Sequence, residues 1–325
     1  MTTTTAALYG PVQEDMSLVE ERLIEVKQVD HPWLAQMLEA ALAAGGKRLR
    51  PAVALLSGKF HTYDLPRLAT LAAALELLHT ATLVHDDVID NASTRRGRPT
   101  VNAQFKNAVT VMLGDYMFAN AAVLISQTEH VKVIENFSRS LMMIATGELG
   151  QDLSTFDTRQ DIRSYLQRIG GKTAALFRTA GECGALLSNA PSQHVGALRD
   201  YGYHLGMAFQ IVDDILDFTG DEADLGKPVG SDLMQGTLTL PALIFLEREP
   251  ANNPITKLFR ARRNRQSELL IKAVHGVLES GAIEEARRVA EDFAARARDA
   301  LAPLPLHPAR QTLAELTYYV LNRKS

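Results

Sequence analysis

The stretch "RLATLAAALELLHTATLVHDDVID", residues 67–90, decides the fold. Leu75, His79, Thr82, Asp86 and Asp90 are spaced by 4, 3, 4 and 4. At about 3.6 residues per turn that spacing lays them in one stripe along a helix. The surrounding run is rich in Ala and Leu, which favour helix. Similar three- and four-residue recurrence runs through "SLVEERLIEVKQ", "VTVMLGDYMFANAAVLISQ", "VIENFSRSLMMIATGELGQD" and "LRDYGYHLGMAFQIVDDILDF". Alternating Val/Ile/Thr runs bounded by turn residues are scarce. The pattern predicts an all-α fold, a single bundle of about ten or more helices with essentially no sheet. Breaks fall at "AGGKRLRP", "STRRGRPT", "SNAPSQ", "TGDEADLGKPVG" and "LAPLPLHP", none biased enough to be an interdomain linker. One domain over 1–325, with 1–15 a loose N-terminal tail, is therefore expected.

Composition excludes several classes. The net charge of -4 gives no broad basic excess for a nucleic-acid backbone. The single cysteine, Cys183, cannot close an internal disulfide and reads as a small core residue. The start carries no basic region followed by an apolar core, and no apolar run approaches the roughly 20 residues that span a bilayer. A cytoplasmic protein without a membrane span is expected.

The stripe ends in acid. Asp86, Asp87 and Asp90 form Asp-Asp-x-x-Asp, and "IVDDILDF", residues 211–218, repeats it with Asp213, Asp214 and Asp217. A lone copy is usually a solvated helix end. Two copies on apolar helices need counter-charge, because six carboxylates cannot stay ionised in a dry core. An oxygen-only donor set favours Mg2+, which keeps waters and shares its coordination with substrate phosphates. Neither copy has the glycine and glutamate of an EF-hand loop.

Cations accompany both copies. "GGKRLRP" carries Lys47, Arg48 and Arg50 before a helix start, and "STRRGRPT" carries Arg95, Arg96 and Arg98 just after Asp90. "GGKTAALF" offers Lys172 and Thr173, and "DLGKPVG" offers Lys227. "GGKT" lacks the spacing and preceding strand of a phosphate-binding loop. The distribution points to two polyanionic substrates, one bridged by metal and one held mainly by basic side chains.

These motifs, together with "LGDYMFANA", "FQIVDDILD", "GTLTLPAL" and the terminal "YYVLNR", resemble the trans-isoprenyl diphosphate synthases over nearly the whole chain. The resemblance implies an all-helical fold around a deep central cavity, a homodimer, and head-to-tail condensation of an allylic diphosphate with isopentenyl diphosphate. It implies that the six aspartates hold three Mg2+ ions around the allylic diphosphate, which Arg95, Lys172 and Lys227 also contact. Thr173 and Gln210 would line the reacting centre, and Lys47, Arg50, His79 and Arg96 the isopentenyl diphosphate pocket. One departure stands out: Thr237 occupies a position that is lysine in many short-chain members.

Product length, on the same resemblance, depends on the residues just before Asp86, where an aromatic would form a floor. Ala81 and Thr82 stand there, with Ala73 and Ala74 further along the helix, so a product longer than twenty carbons is expected. Phe118, Met142 and Met143 are other candidates for a floor. Three other readings compete. A ferritin-like site would use Glu76 and His79 but needs a second Glu-x-x-His, which is absent. A terpene cyclase has no use for a second diphosphate pocket. A non-catalytic partner subunit would not need all six aspartates.

Overall fold

The structure, a computed structural model, describes residues 8–43, 45–95, 97–220, 228–249, 251–262 and 265–323. In chain order the helices are α1 (Met16–Glu25), α2 (Pro32–Leu42), α3 (Leu49–Gly58) and α4 (Leu65–Ile89). A two-residue hairpin, β1 (Thr94–Arg95) and β2 (Arg98–Pro99), leads to α5 (Val101–Gln104), α6 (Asn107–Ser126) and α7 (Val131–Leu153). Next come α8 (Ile162–Ile169), a π turn (Gly170–Ala174), α9 (Ala175–Leu187) and α10 (Ser192–Thr219). The rest comprises α11 (Ser231–Met234), α12 (Leu240–Arg248), α13 (Pro254–Arg260), α14 (Gln266–Glu279), α15 (Ala282–Ala300) and α16 (Pro308–Asn322). Among the described residues the antiparallel hairpin is the whole of the sheet, so the all-helical expectation holds.

The chain groups into two compact units, each drawn from separated segments. The first is Met1–Leu141, Leu176–Gly202 and Arg298–Leu316; the second is Met142–Ala175, Tyr203–Ala297 and Thr317–Ser325. The boundaries fall next to or within helical segments, which is why no shift in composition marks them.

Helix α4 organises the first unit. Its N-cap is Asp64, whose carboxylate accepts from the Arg67 amide at 3.3 Å, and Pro66 occupies the first turn, where a missing N–H costs nothing. Leu68, Leu71, Leu75, Leu77 and Leu78 are all fully buried. A helix apolar on every side belongs in a core, and α4 packs against α1, α2, α3 and α6. Each fully buried leucine stabilises the fold by about 1.5–3 kcal/mol.

Two expectations are corrected here. Residues 8–15 are no loose tail: Tyr9 and Val12 are buried around a short 3-10 turn, and Asp15 pairs with Lys59 at 2.7 Å and accepts from the Tyr63 hydroxyl at 2.7 Å. Residues 1–7 of that tail lie outside the described residues. Secondly, α4 and α6 are both long and apolar enough to cross a membrane. Uninterrupted apolar runs in the sequence are shorter than either helix and do not reveal it. In α4 that apolarity faces protein, since 78% of its most apolar window is buried; for α6 the share is 33%.

The second unit has its own core, in which Tyr165, Ile169, Met207, Ile211, Leu243 and Phe245 pack with residues of α14 and α15. Helix α8 starts at Asp161, whose side chain caps the Ser164 amide at 2.7 Å. Two glycines let the backbones of α7 and the π turn touch. A Cβ on Gly147 would lie 2.9 Å from the Lys172 amide, and one on Gly171 would lie 2.9 Å from the Met143 carbonyl.

Candidate active site

In the first unit the acids occupy the wrong end of their helix for a carboxylate. Asp86 and Asp87 are in the last turn of α4, and Asp90 is its C-cap, donating its amide to the Asp86 carbonyl at 2.8 Å. The carbonyl end of the helix dipole makes the local field negative there, so each carboxylate is disfavoured by about 0.3–1 kcal/mol without a cation. The placement that the helix dipole favours for acids, a helix start, is therefore not the one found here.

One cation is supplied by the chain. The β1–β2 hairpin turns Arg95 back so that its Nε donates to Asp87 Oδ1 at 2.8 Å. Asp87 is buried, and burial raises its carboxyl above the ordinary range while the Arg95 guanidinium opposes that rise. Arg96, at the hairpin's turn, lies outside the described residues.

Further back along α4, His79 is half-buried, Ala81 is fully buried, and Thr82 spends its hydroxyl on the His79 carbonyl at 2.7 Å. His85 of the same motif instead faces α6. Its Nε2 lies 2.9 Å from the Val111 carbonyl, Phe118 meets its ring edge-on at 5.2 Å, and Gly114 leaves the room for it. Met142 and Met143 are 68% and 37% exposed, which does not suit them to a buried floor. Lys47 is half-buried before α3, and Arg50 is buried with its guanidinium 4.6 Å over the Phe177 ring.

The second unit repeats the placement: Asp213, Asp214 and Asp217 all lie in the last two turns of α10. Their three environments differ. Asp213 keeps 41% of its side chain exposed and pairs with Arg323 at 2.6 Å. Asp214 is buried, accepting from the Tyr165 hydroxyl at 2.5 Å and from Gln210 Nε2 at 2.8 Å. Burial pushes its carboxyl up to about 7, assisted by the charge of Asp232 and opposed by the Tyr165 and Gln210 hydrogen bonds. Asp217 is fully buried and accepts from Ser231 Oγ at 2.9 Å and the Asp232 amide at 3.3 Å.

Gln210 also accepts from Thr173 Oγ1 at 2.6 Å, so Thr173, Gln210, Asp214 and Tyr165 form one chain of hydrogen bonds. Thr173 and Lys172 project from the π turn, a backbone form often associated with functional positions. Lys172 pairs with Glu148 at 2.6 Å. Arg168 donates to the carbonyl of Leu238, next to Thr237, at 2.5 Å. Lys227 lies outside the described residues.

Several members of these sets were invisible in the sequence. Tyr165 is 49 residues from Asp214 and carries no motif, and Glu148 and Ser231 likewise signal nothing on their own. Arg323 is no loose basic end: it is 3% exposed, donates to the Phe209 carbonyl at 2.6 Å and lies 3.9 Å over the Phe209 ring. Lys324 is outside the described residues.

A family model described as polyprenyl synthetase matches residues 31–277. The chain belongs to the polyprenyl synthetase family. That match takes in both acidic motifs and "GGKRLRP", and leaves Tyr9 and Arg323 outside it. The chain is 37% identical over 316 residues to the heptaprenyl diphosphate synthase component 2 of Bacillus subtilis (strain 168), covering 97% of this chain and 90% of that one. It is 35% identical over 313 residues to the octaprenyl diphosphate synthase of Escherichia coli (strain K12), covering 95% and 96%. A polyprenyl synthase from Caulobacter crescentus CB15, crystallised with calcium and isoprenyl diphosphate, superposes with a TM-score of 0.91 at 34% identity, covering 97% and 96%.

Proposed function

We propose that this polyprenyl synthetase condenses an allylic diphosphate with isopentenyl diphosphate, head to tail and repeatedly, to make an all-trans polyprenyl diphosphate longer than twenty carbons. The observation that carries the reading is the placement of two Asp-Asp-x-x-Asp motifs at helix C-terminal ends, where carboxylates need cations.

The donor set fits a hard divalent ion. Among the described residues no three acidic, histidine or cysteine side chains converge to hold a metal unaided, and Mg2+ characteristically takes one or two carboxylates and completes its shell with phosphate and water. Asp86 and Asp90 in the first unit, and Asp213 in the second, are half-buried or exposed and so open to such ions, and three ions are the number the family resemblance implies. Asp214 and Asp217, committed to protein donors, orient their surroundings instead. Bound Mg2+ would neutralise the diphosphate and so make it a better leaving group.

The chain's own groups do the rest. On the family resemblance, Arg95, Lys172 and Lys227 are the cations that would steady the allylic diphosphate as its bond to C1 breaks. Lys47, Arg50, His79 and Arg96 hold isopentenyl diphosphate so that its double bond attacks C1. A new carbon–carbon bond forms, diphosphate departs, and that diphosphate accepts the proton lost from the isopentenyl unit. Apolar side chains such as Ala81, Leu78 and Ala74 exclude the water that would quench the cation. The small buried residues at 73, 74 and 81, and the hepta- and octaprenyl relatives, support a long product.

Association is a second part of this reading. Val111, Met112 and Val123 leave exposed apolar surface on α6, suited to a second copy of the chain. The relative named as component 2 makes a different subunit the alternative, and light scattering on the purified protein separates them. The buried, reduced Cys183 accords with a cytosolic place of action.

The deciding experiment is incubation with Mg2+, labelled isopentenyl diphosphate and farnesyl diphosphate, followed by sizing of the dephosphorylated products. A ladder beyond twenty carbons that vanishes in EDTA is expected; no metal-dependent incorporation defeats the reading.

A further inference from the structure

Three cations crowd "GGKRLRP", and the structure sets one of them apart. The Arg48 guanidinium donates from Nε to Glu20 Oε1 at 2.8 Å, from Nη2 to Glu20 Oε2 at 3.4 Å, and from Nη1 to Glu76 Oε1 at 2.7 Å. Its side chain is 12% exposed and Glu76 is buried. A guanidinium so engaged is a bracket between α1 and α4 rather than a phosphate ligand.

The backbone makes the choice of arginine more telling. Arg48 sits at φ 46 and ψ 33, the left-handed region, which costs a side-chain-bearing residue about 1–3 kcal/mol. Gly45 and Gly46 stand immediately upstream, so a glycine was the easy solution to such a turn. The strain is accepted because the side chain holds something in place. On one side the Tyr9 hydroxyl donates to the Lys47 carbonyl; on the other the Arg48 carbonyl accepts the Ala52 amide at 3.0 Å in the first turn of α3. Glu76 lies three residues before His79 on α4, one turn away.

We propose that Arg48 is a positioning residue for isopentenyl diphosphate: clamped by Glu20 and Glu76, it fixes the turn that carries Lys47 and Arg50 relative to the α4 face that carries His79. This rests on the reading of Lys47, Arg50 and His79 as that substrate's pocket. Removing the guanidinium would leave the buried Glu76 without its cation and let the turn drift, and a displacement of about 1 Å costs a binding geometry dearly.

The test is steady-state kinetics on the full chain with Mg2+, varying each substrate in turn. Arg48→Gly suits the left-handed backbone, so a merely conformational role predicts no loss. We expect instead about a tenfold rise in KM for isopentenyl diphosphate with KM for farnesyl diphosphate changed less than about twofold. Arg48→Lys should recover part of the loss, and Glu20→Gln, at a half-exposed partner, should show a smaller selective rise. Equal or absent changes in both KM values overturn the proposal. If Arg48→Gly does not fold, Glu20→Gln and Arg48→Lys decide on the same criterion. Arg50→Ala, run in parallel, tests the pocket: if it leaves KM for isopentenyl diphosphate unchanged the pocket reading fails, whereas a rise there without one in the Arg48 and Glu20 variants sinks the positioning role alone.

Discussion

The Arg323 guanidinium lies 2.6 Å from Asp213 Oδ1, at the residue that opens the second acidic motif. Asp213 is the most exposed of its three carboxylates, and Arg323 reaches it from just beyond the end of α16. A carboxylate held by arginine must give up or share that partner when Mg2+ arrives. Arg323→Ala should therefore lower by about threefold the Mg2+ concentration that gives half-maximal activity, in keeping with a partly exposed pair worth under about 1 kcal/mol. The same variant should melt earlier than wild type in both conditions, because the Phe209 contacts are lost as well, but by a smaller margin in saturating Mg2+ than in EDTA. Unchanged Mg2+ dependence would show that the pair plays no part in metal entry.

Asp214 gives the protein a signature in pH. Its folded carboxyl is raised from 3.8 to about 7, so the folded state keeps a proton that the unfolded chain releases. Its contribution to stability is fully present below about pH 4 and is lost as pH rises to about 7. In metal-free buffer Asp214→Asn should flatten that part of the melting-temperature profile. It should also lower kcat by about tenfold, because Gln210 and Thr173 lose the anchor of their hydrogen-bond chain. A profile unchanged between pH 4 and 7 would place the carboxyl elsewhere.

The approach of α7 to the π turn depends on two missing side chains. Gly147→Ala and Gly171→Ala each put a methyl 2.9 Å from backbone that cannot yield easily. Each should cost about 1–3 kcal/mol of stability, read by denaturant unfolding, and should displace Lys172 enough to raise KM for the allylic substrate. Gly150→Ala on the same helix, with nothing within 4 Å of its added carbon, is the control and should be near neutral.

Chain length is expected to respond at α4. Ala81 is fully buried, so Ala81→Phe adds bulk where the structure has none. Products should shorten to twenty carbons or fewer while incorporation of the first isopentenyl unit persists. Overpacking of about 1–3 kcal/mol would lower the melting temperature as well, and Ala81→Leu should then give an intermediate length with less damage. An unaltered ladder from both variants would move the floor to another element, Phe118 of α6 being a candidate whose ring meets that of His85 at 5.2 Å.

Periodicity and motif spacing alone determined the helical class, the stripe from Leu75 to Asp90, the doubled acidic motif and most of the cations around it. Those properties are local: about 3.6 residues per turn decides which side chains share a face whatever lies opposite. Only the tertiary structure decided what each face meets. Adjacent aspartates such as Asp213 and Asp214 look alike in sequence, yet one keeps 41% of its side chain exposed against Arg323 and the other is buried against a tyrosine 49 residues away. Likewise, nothing in "GGKRLRP" separates Arg48 from its neighbours until Glu20 and Glu76, each 28 residues distant, close on its guanidinium. Burial, partner and therefore the ionisation of a side chain depend on long-range packing, which no local period encodes.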